Sequence, residues 1–595
     1  MISNAVPVVA LILGCFIAAY GFLSDASQAG AAAQTRTPRT AVTLAPVSVT
    51  DATLADLQNA LDTKRVTSVE LVQQYLARIA TYEDLLHAAL HVNRNALREA
   101  DALDRERAAG RLRGPLHGIP VAVKDNIHTT DMPTTGGALA FAGYVPPYEA
   151  TLVTNLKAAG AIIIAKTGMT ELANWVAGAP TPMPANYNAV GGYGLNPYDP
   201  RRDPRPDADG RPALATGGSS SGVGTAASFW AANVGTETSG SILSPANQNM
   251  LVGIKPTVGR VSRYGVIPIT ADQDTPGPLA RTVRDAAIML GALEGATPDP
   301  HDRATQTCQV PPNRDYTAFL AADALRGARI GIPRAAYYDA VTVPNSGPGP
   351  SGPARTRSEP RGGLSEAQRT AMTEAIAVLR AQGAVIVDPA DIPSVVTADA
   401  SANLLQWSMC SDERRGANAG CSTVFQYGMK RDFNAWLETL GASRPVASLT
   451  ALRGWNNAHA SAGAIKYGQS LLDSSDALDL VGDRARYEAD RAKDLRLAGE
   501  HGIAEVMKAQ RLDALLFPGG TGAGIAARPG YPTVIVPFAR IPNAPTPPLP
   551  AGFDAKPAPF GVSFTGMVCS EPRLLALAYA FEQATKTRVA PESVP

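Results

Sequence analysis

Several function classes lack their raw material in this sequence. Its 595 residues carry 53 basic and 53 acidic side chains, a formal net charge of zero. That balance argues against the large basic face on which nucleic-acid binding draws, though it leaves room for a local patch. The five cysteines are too few for a disulfide-built scaffold, and none forms a C-x-x-C pair of the kind that holds structural zinc. Charged residues make up only 18% against 45% hydrophobic, which excludes wholesale disorder and supplies a large core. The 54 glycines and 48 prolines predict many turns between ordered elements. No charged side chain precedes Asp25.

That charge-free start contains an unbroken apolar run over residues 6–23, followed by small residues at 29–33 where an A-x-A cleavage site fits. The run is just long enough to span a hydrocarbon core and also overlaps long signal-peptide cores. No Lys or Arg stands ahead of it, and Leu13-Gly14-Cys15 is a partial match to a lipoprotein site. Residues 1–33 therefore read as a signal peptide or an N-terminal membrane anchor. The expected location is exported, periplasmic or secreted, or membrane-anchored, with any membrane contact running through this segment.

Residues 34–595 read as one large domain. From Thr53 to about Arg113 the pattern is helical, and Thr67 and Glu70 form a capping box. His87 and His91 fall i, i+4 on that predicted helix, spaced for a metal or for an ordinary packed face, without an HExxH glutamate. Helices are predicted over 149–159 and 365–382, each stopped by a glycine, Gly160 and Gly383. Short apolar strands are predicted at 119–123, 161–165, 329–332, 384–387, 514–517 and 533–536. Such alternation implies an α/β sheet covered by helices on both faces. Residues 197–213 and 344–363, rich in Pro with Asp and Arg or with Gly and Ser, read as exposed insertions.

Three pieces carry chemistry. Residues 118–126 (GIPVAVKDN) form a strand ending in Lys124. Burial there would lower the lysine pKa and free an amine as base; the ordinary alternative is a lysine snorkelling to solvent. Residues 216–222 (TGGSSSG) form a Gly-Ser loop entering a helix of small residues, predicted over 223–232 and buried. Residues 235–241 (GTETSGS) form a tight loop able to turn several backbone N–H groups inward beside the Ser241 hydroxyl, as an oxyanion hole requires. Residues 218–222 also fit G-x-S-x-G, a nucleophile elbow with Ser220 at its centre, which would need a downstream acid and a histidine such as His301, His459 or His501.

In this order and spacing the three pieces resemble the amidase signature family, and most closely its bacterial peptide amidases. Supporting stretches are LHGIP at 116–120, Lys166-Thr167, Glu171, NPY at 196–198, GIKPT at 253–257, Gly265, DTPGP at 274–278, GYP at 530–532 and PFGVSFTG at 559–566. The resemblance runs from about Ala52 to Pro591, with the signature core at about 115–285. It implies a single α/β domain with a central mixed sheet. It also implies a Ser–cis-Ser–Lys triad: Ser241 as nucleophile, Ser219 as bridging serine, Lys124 as base. A cis peptide between Gly218 and Ser219 and oxyanion donors from the backbone of Thr238, Ser239, Gly240 and Ser241 come with it. The family's reaction is hydrolysis of a linear carboxamide through a serine acyl-enzyme, with no cofactor and no metal. The implied partner is a small amide or peptide-amide substrate; no nucleic acid is implied, and nothing about oligomeric state.

The sequence departs from the commoner family pattern at Glu237, Ser239 and Leu243, where Asp, Gly and Arg are frequent, and the interval from Ser219 to Ser241 is shorter. These departures bear on the substrate: a peptide C-terminal amide is expected, with aryl or fatty amides as alternatives. A different class is an amidotransferase subunit that supplies ammonia within a complex, and a third is a binding protein that has lost activity. Cys410 and Cys421 either pair or stand as two free thiols.

Overall fold

The runs of Ile, Val and Ala between amphipathic helices assemble into one mixed sheet of eleven strands. The computed structural model describes residues 47–178, 180–343, 359–411 and 420–595. The strands are β1 (Ala89–Val92), β2 (Pro120–Lys124), β3 (Ile162–Thr167), β4 (Asn233–Glu237), β5 (Val252–Lys255) and β6 (Thr275–Ala280), then β7 (Arg329–Gly331), β8 (Val385–Val387), β9 (Ala514–Pro518), β10 (Thr533–Ile541) and β11 (Ala558–Thr565). Their spatial order is β1-β3-β2-β4-β6-β5-β10-β11-β9-β7-β8. The ladders β3/β2/β4 and β9/β7/β8 are parallel, and the pairs between them, from β4/β6 to β11/β9, are antiparallel. Parallel pairing with register Ala122↔Asn233 and Val123↔Val234 brings the C-terminal ends of β2 and β4 together. Lys124 ends the first and Glu237 the second, so the sheet itself delivers two of the three chemical pieces to one edge.

Helices flank the sheet and share its core. Ile162, Ile163, Ile164 and Ala165 are fully buried, as a strand covered on both sides requires, and belong to one continuous core cluster with Leu71, Val72, Leu290, Leu574 and Phe581 from the helices. Local signals set several boundaries. Thr67 and Glu70 close a capping box on helix Ser68–Leu86, and Ser365 and Gln368 close another on Glu366–Ala381. Gly160 and Gly383 take φ +88° and +86° just past their helices. Among the described residues, no helix is long and apolar enough to cross a membrane.

Two local expectations change. The helical reading of 53–113 is broken by β1, which pairs antiparallel with β3. His87 takes the left-handed conformation that ends the preceding helix and His91 lies in β1, so the two are not neighbours on one helical face. Edge pairing with a buried strand here outweighs local helical preference. The helix after the Gly-Ser loop is buried but short, Val223–Ala226. The chain reverses through Ser228 at φ 56°, and the Trp230 ring lies 2.0 Å from where a Cβ on Gly224 would sit. Only glycine permits that return into β4.

The 197–213 segment is a loop tied by the pairs Arg201–Asp199 and Arg205–Asp203, and its first residues, Pro197 to Asp199, are buried rather than exposed. In the second expected insertion, residues 344–358 lie outside the described residues, and Glu359–Arg361 pairs with Val341–Val343. The expected leader, residues 1–33, also lies outside them. Among the described residues two disulfides are present, Cys410–Cys421 and Cys308–Cys569; the second joins residues 261 positions apart.

Candidate active site

The C-terminal ends of β2 and β4 place Lys124 beside Thr236. Lys124 Nζ lies 3.2 Å from the Thr236 carbonyl oxygen, 2.9 Å from Thr236 Oγ1 and 3.4 Å from Ser219 Oγ. A 2.6 Å hydrogen bond joins Ser219 Oγ to Ser241 Oγ. The three residues singled out by sequence thus form one chain of contacts. Lys124 is 0% exposed, Ser219 1% and Ser241 8%, so the chain runs from the interior to the edge of solvent. Burial pulls the Lys124 pKa down to about 7, although Asp274 and Glu237 act in the opposite direction. Neutralising a lysine to that extent costs about 5 kcal/mol, and burial is the source.

A neutral amine has two N–H donors and one lone pair. Thr236 offers two acceptors to Lys124, its carbonyl and its hydroxyl, and that leaves the lone pair for Ser219. Asn126 Nδ2 also donates to Thr236 Oγ1, at 3.1 Å, and to the Ile267 carbonyl, at 3.2 Å, fixing the threonine rotamer. Thr236 and Asn126 were missed as site residues by sequence reasoning, although both lie inside the motifs that it quoted.

The loops are braced from several sides. Ser220 Oγ donates to the Thr236 carbonyl at 3.0 Å and accepts from the Thr236 N–H at 3.1 Å, and Ser220 N–H donates to the Ser241 carbonyl at 3.1 Å. Thr170 N–H donates to the Ser219 carbonyl at 3.2 Å. The elbow reading finds no support: Ser220 is spent on backbone, while His301, His459 and His501 pair with Asp299, the Trp455 carbonyl and Glu505. Glu237 accepts the N–H groups of Ile242 and Leu243 at 2.7 and 3.0 Å, capping the turn that carries Ser241.

Gly240 takes φ +90°, a conformation in which a side chain would be strained, and its peptide geometry opens the 238–241 loop. Among the described residues, the N–H groups of Ser239, Gly240 and Ser241 have no protein acceptor. The cis bond expected between Gly218 and Ser219 is corrected: that bond is trans, and among the described residues cis bonds occur at Asp388–Pro389 and Thr546–Pro547. The trans chain carries Ser219 Oγ to both Lys124 Nζ and Ser241 Oγ.

A cavity of about 290 Å³ opens beside Ser239, lined by apolar Tyr337, Leu404, Met409, Phe425 and Ile525 with Gln273 and Arg528 at its polar edge. Arg528 pairs with Asp494, which also accepts from Trp407 Nε1 at 2.8 Å and Ser422 Oγ at 2.7 Å. Met409 and Ser422 stand next to the disulfide partners Cys410 and Cys421, so that bridge ties the cavity wall. Apart from Ser239 and Gln273, these wall residues come from the second half of the chain and carry no motif.

Behind the site, Lys166 and Asp125 form a fully buried ion pair at 3.7 Å. Among the described residues, no group of His, Cys, Asp and Glu gathers as a metal site would require.

The Amidase family model matches residues 70–345. A probable amidase of Arabidopsis thaliana is 32% identical over 92% of this chain and 92% of its own length. The peptide amidase of Stenotrophomonas maltophilia is 34% identical, with 92% of this chain and 99% of that one covered and a TM-score of 0.73. A glutamyl-tRNA(Gln) amidotransferase subunit of Rhodopirellula baltica is 31% identical over 89% of this chain and 96% of its own. Near-full-length likeness at this level, on a chain whose Lys–Ser–Ser contacts hold together in space, places the protein in the amidase signature family.

Proposed function

We propose that the protein hydrolyses the C-terminal carboxamide of a peptide, or a similar small linear amide, to acid and ammonia. The observation that carries this reading is the continuous Lys124–Ser219–Ser241 contact chain with its lysine held near neutrality by burial. Ser241 Oγ attacks the amide carbon as its proton passes to Ser219, whose own proton passes to the Lys124 lone pair. The oxyanion forms against the N–H groups of the 238–241 loop, where a preorganised donor is worth about 100-fold in rate or more. The C–N bond then breaks, the proton returns along the same path to the leaving amine, and water hydrolyses the acyl-enzyme. No cofactor enters.

The cavity supports the substrate class. Mostly apolar and about 290 Å³, the cavity beside Ser239 lies at the small end of ligand pockets, which favours a small apolar side chain over a long fatty acyl chain. The likeness to a peptide amidase at 34% identity supports a peptide acyl group. The amidotransferase reading rests on the Rhodopirellula relative; free-standing turnover of peptide amides, with no partner protein, would separate the two. Export is proposed from the apolar run at 6–23 together with two disulfides, which persist in oxidising compartments.

The test is an ammonia-release assay on an amidated peptide, an aryl amide and a long-chain fatty amide. Mass spectrometry of the peptide should show a gain of about one mass unit, the change from amide to acid, without internal cleavage. Fragmentation at internal bonds, or preference for the fatty amide, contradicts the reading.

A further inference from the structure

Both polar handles of Thr238 are held by two consecutive residues of a separate loop. Its carbonyl accepts from Gln273 Nε2 at 3.1 Å, and its hydroxyl donates to Asp274 Oδ1 at 2.5 Å. Asp274 is itself fixed, because Oδ2 accepts the N–H groups of Ile269 and Thr270 at 2.9 and 3.0 Å. The 269–274 loop is anchored in turn to two helices. Asp272 accepts from Arg431 at 3.1 Å and Tyr487 at 2.8 Å, and Asp432 accepts the Ala271 N–H at 2.7 Å. Gln273 and Thr238 are both buried, so water does not compete for the amide–carbonyl bond.

The Thr238–Ser239 peptide is trans, and in a trans peptide the C=O and N–H point in opposite directions. An amide that holds the Thr238 carbonyl therefore fixes the rotation of the whole plane and aims the Ser239 N–H away from itself. That N–H has no acceptor among the described residues. Rotation of that plane is set by ψ of Thr238 and φ of Ser239, and a donor that must reorganise during reaction loses much of its value.

We infer that Gln273 is a positioning residue: through the Thr238 carbonyl it sets the Ser239 N–H in the direction that the transition-state oxyanion requires. The inference rests on the serine-nucleophile reading above. Gln273 touches the donor loop and not the reacting atoms, so its loss falls on the transition state more than on the ground state.

The experiment is Gln273→Leu in the full chain, with four readings: kcat and KM on the best carboxamide, the inhibition constant of a peptide boronate that mimics the tetrahedral state, that of the product acid, and Tm. Expected are a kcat lowered about 10- to 100-fold, somewhat less than loss of a whole oxyanion donor, and boronate affinity lowered by a similar factor. Gln273 also lines the cavity beside Ser239, so KM and product-acid affinity should weaken too, but several-fold less than kcat and boronate affinity, a split that separates transition-state from uniform binding. Gln273→Glu, of equal length but with a carboxylate in place of the donor, should give the same pattern and serves if Gln273→Leu does not fold. An unchanged kcat overturns the inference, as does a kcat loss with boronate affinity intact. KM and product-acid affinity weakening by as much as boronate affinity overturn it in favour of a direct substrate contact. A wild-type enzyme that turns over no carboxamide defeats the functional reading instead, and shows in the wild-type measurement alone.

Discussion

Ser219 Oγ stands 2.6 Å from Ser241 Oγ and 3.4 Å from Lys124 Nζ with only 1% of Ser219 open to solvent, so among the described residues its hydroxyl is the bridge between a serine 8% exposed and a fully buried lysine. A hydroxyl can accept and donate at once, and the proton path needs both at that point. Ser219→Ala keeps the lysine but removes the bridge, and kcat should fall at least about 100-fold, as loss of a proton-transfer step does. Steady-state kinetics within tenfold of wild type would mean that the proton takes another route.

Activity should depend on the protonation of Lys124. Its pKa is lowered to about 7, and only the neutral amine accepts a proton. As pH falls through about 7 the lysine charges, so kcat/KM should drop on the acid side with an apparent pKa near 7, far below a free lysine's value of about 10.4. A flat profile from pH 6 to 8, or a limb that only appears above pH 9, contradicts the assignment.

Lys124→Met should abolish turnover while leaving the fold at least as stable. The folded lysine titrates near 7 and the unfolded one near 10.5. Between those values the unfolded state binds more protons, so burial costs stability that is recovered only as pH rises. At pH 7 the methionine variant should melt at or above the wild-type temperature; a fall of several degrees would mean that Lys124 holds the structure together.

Reduction should lower Tm through Cys308–Cys569, whose partners stand 261 positions apart in the chain. The chain-entropy relation puts a loop of this length at about 5 kcal/mol, while disulfides typically contribute about 2–4 kcal/mol. Thermal melts with and without reductant, compared with the Cys308→Ser variant, read this directly. If the variant melts like the oxidised wild type, the bridge adds nothing.

Deleting residues 1–33 should leave a soluble enzyme with full kcat, because residues 47–595 form a compact unit of their own. Loss of solubility or activity in the truncated protein would make that segment part of the fold.

The catalytic candidates were readable because they lie in short ordered motifs: Lys124 at a strand end, Ser219 in a Gly-Ser loop, Ser241 after a tight turn. Their partners were harder to read. Thr236 meets Lys124 only through parallel pairing of β2 with β4, and Gln273 reaches Thr238 across 35 positions of chain. Neither contact has a local periodicity. The cavity wall gathers Tyr337, Phe425 and Arg528 from loops and helices with no shared pattern. Where local preference was followed too far, at β1 and at the short helix Val223–Ala226, pairing with β3 and the bulk of Trp230 decided the outcome.

The central claim is that Ser241 is the nucleophile, and covalent labelling tests it most directly. A fluorophosphonate probe, followed by tryptic mapping, should modify Ser241 and no other serine, and Ser241→Ala should lose both label and turnover. Ser220→Ala should still label at Ser241, since Ser220 only braces Thr236. A label on Ser220, or turnover that survives Ser241→Ala, would contradict the account.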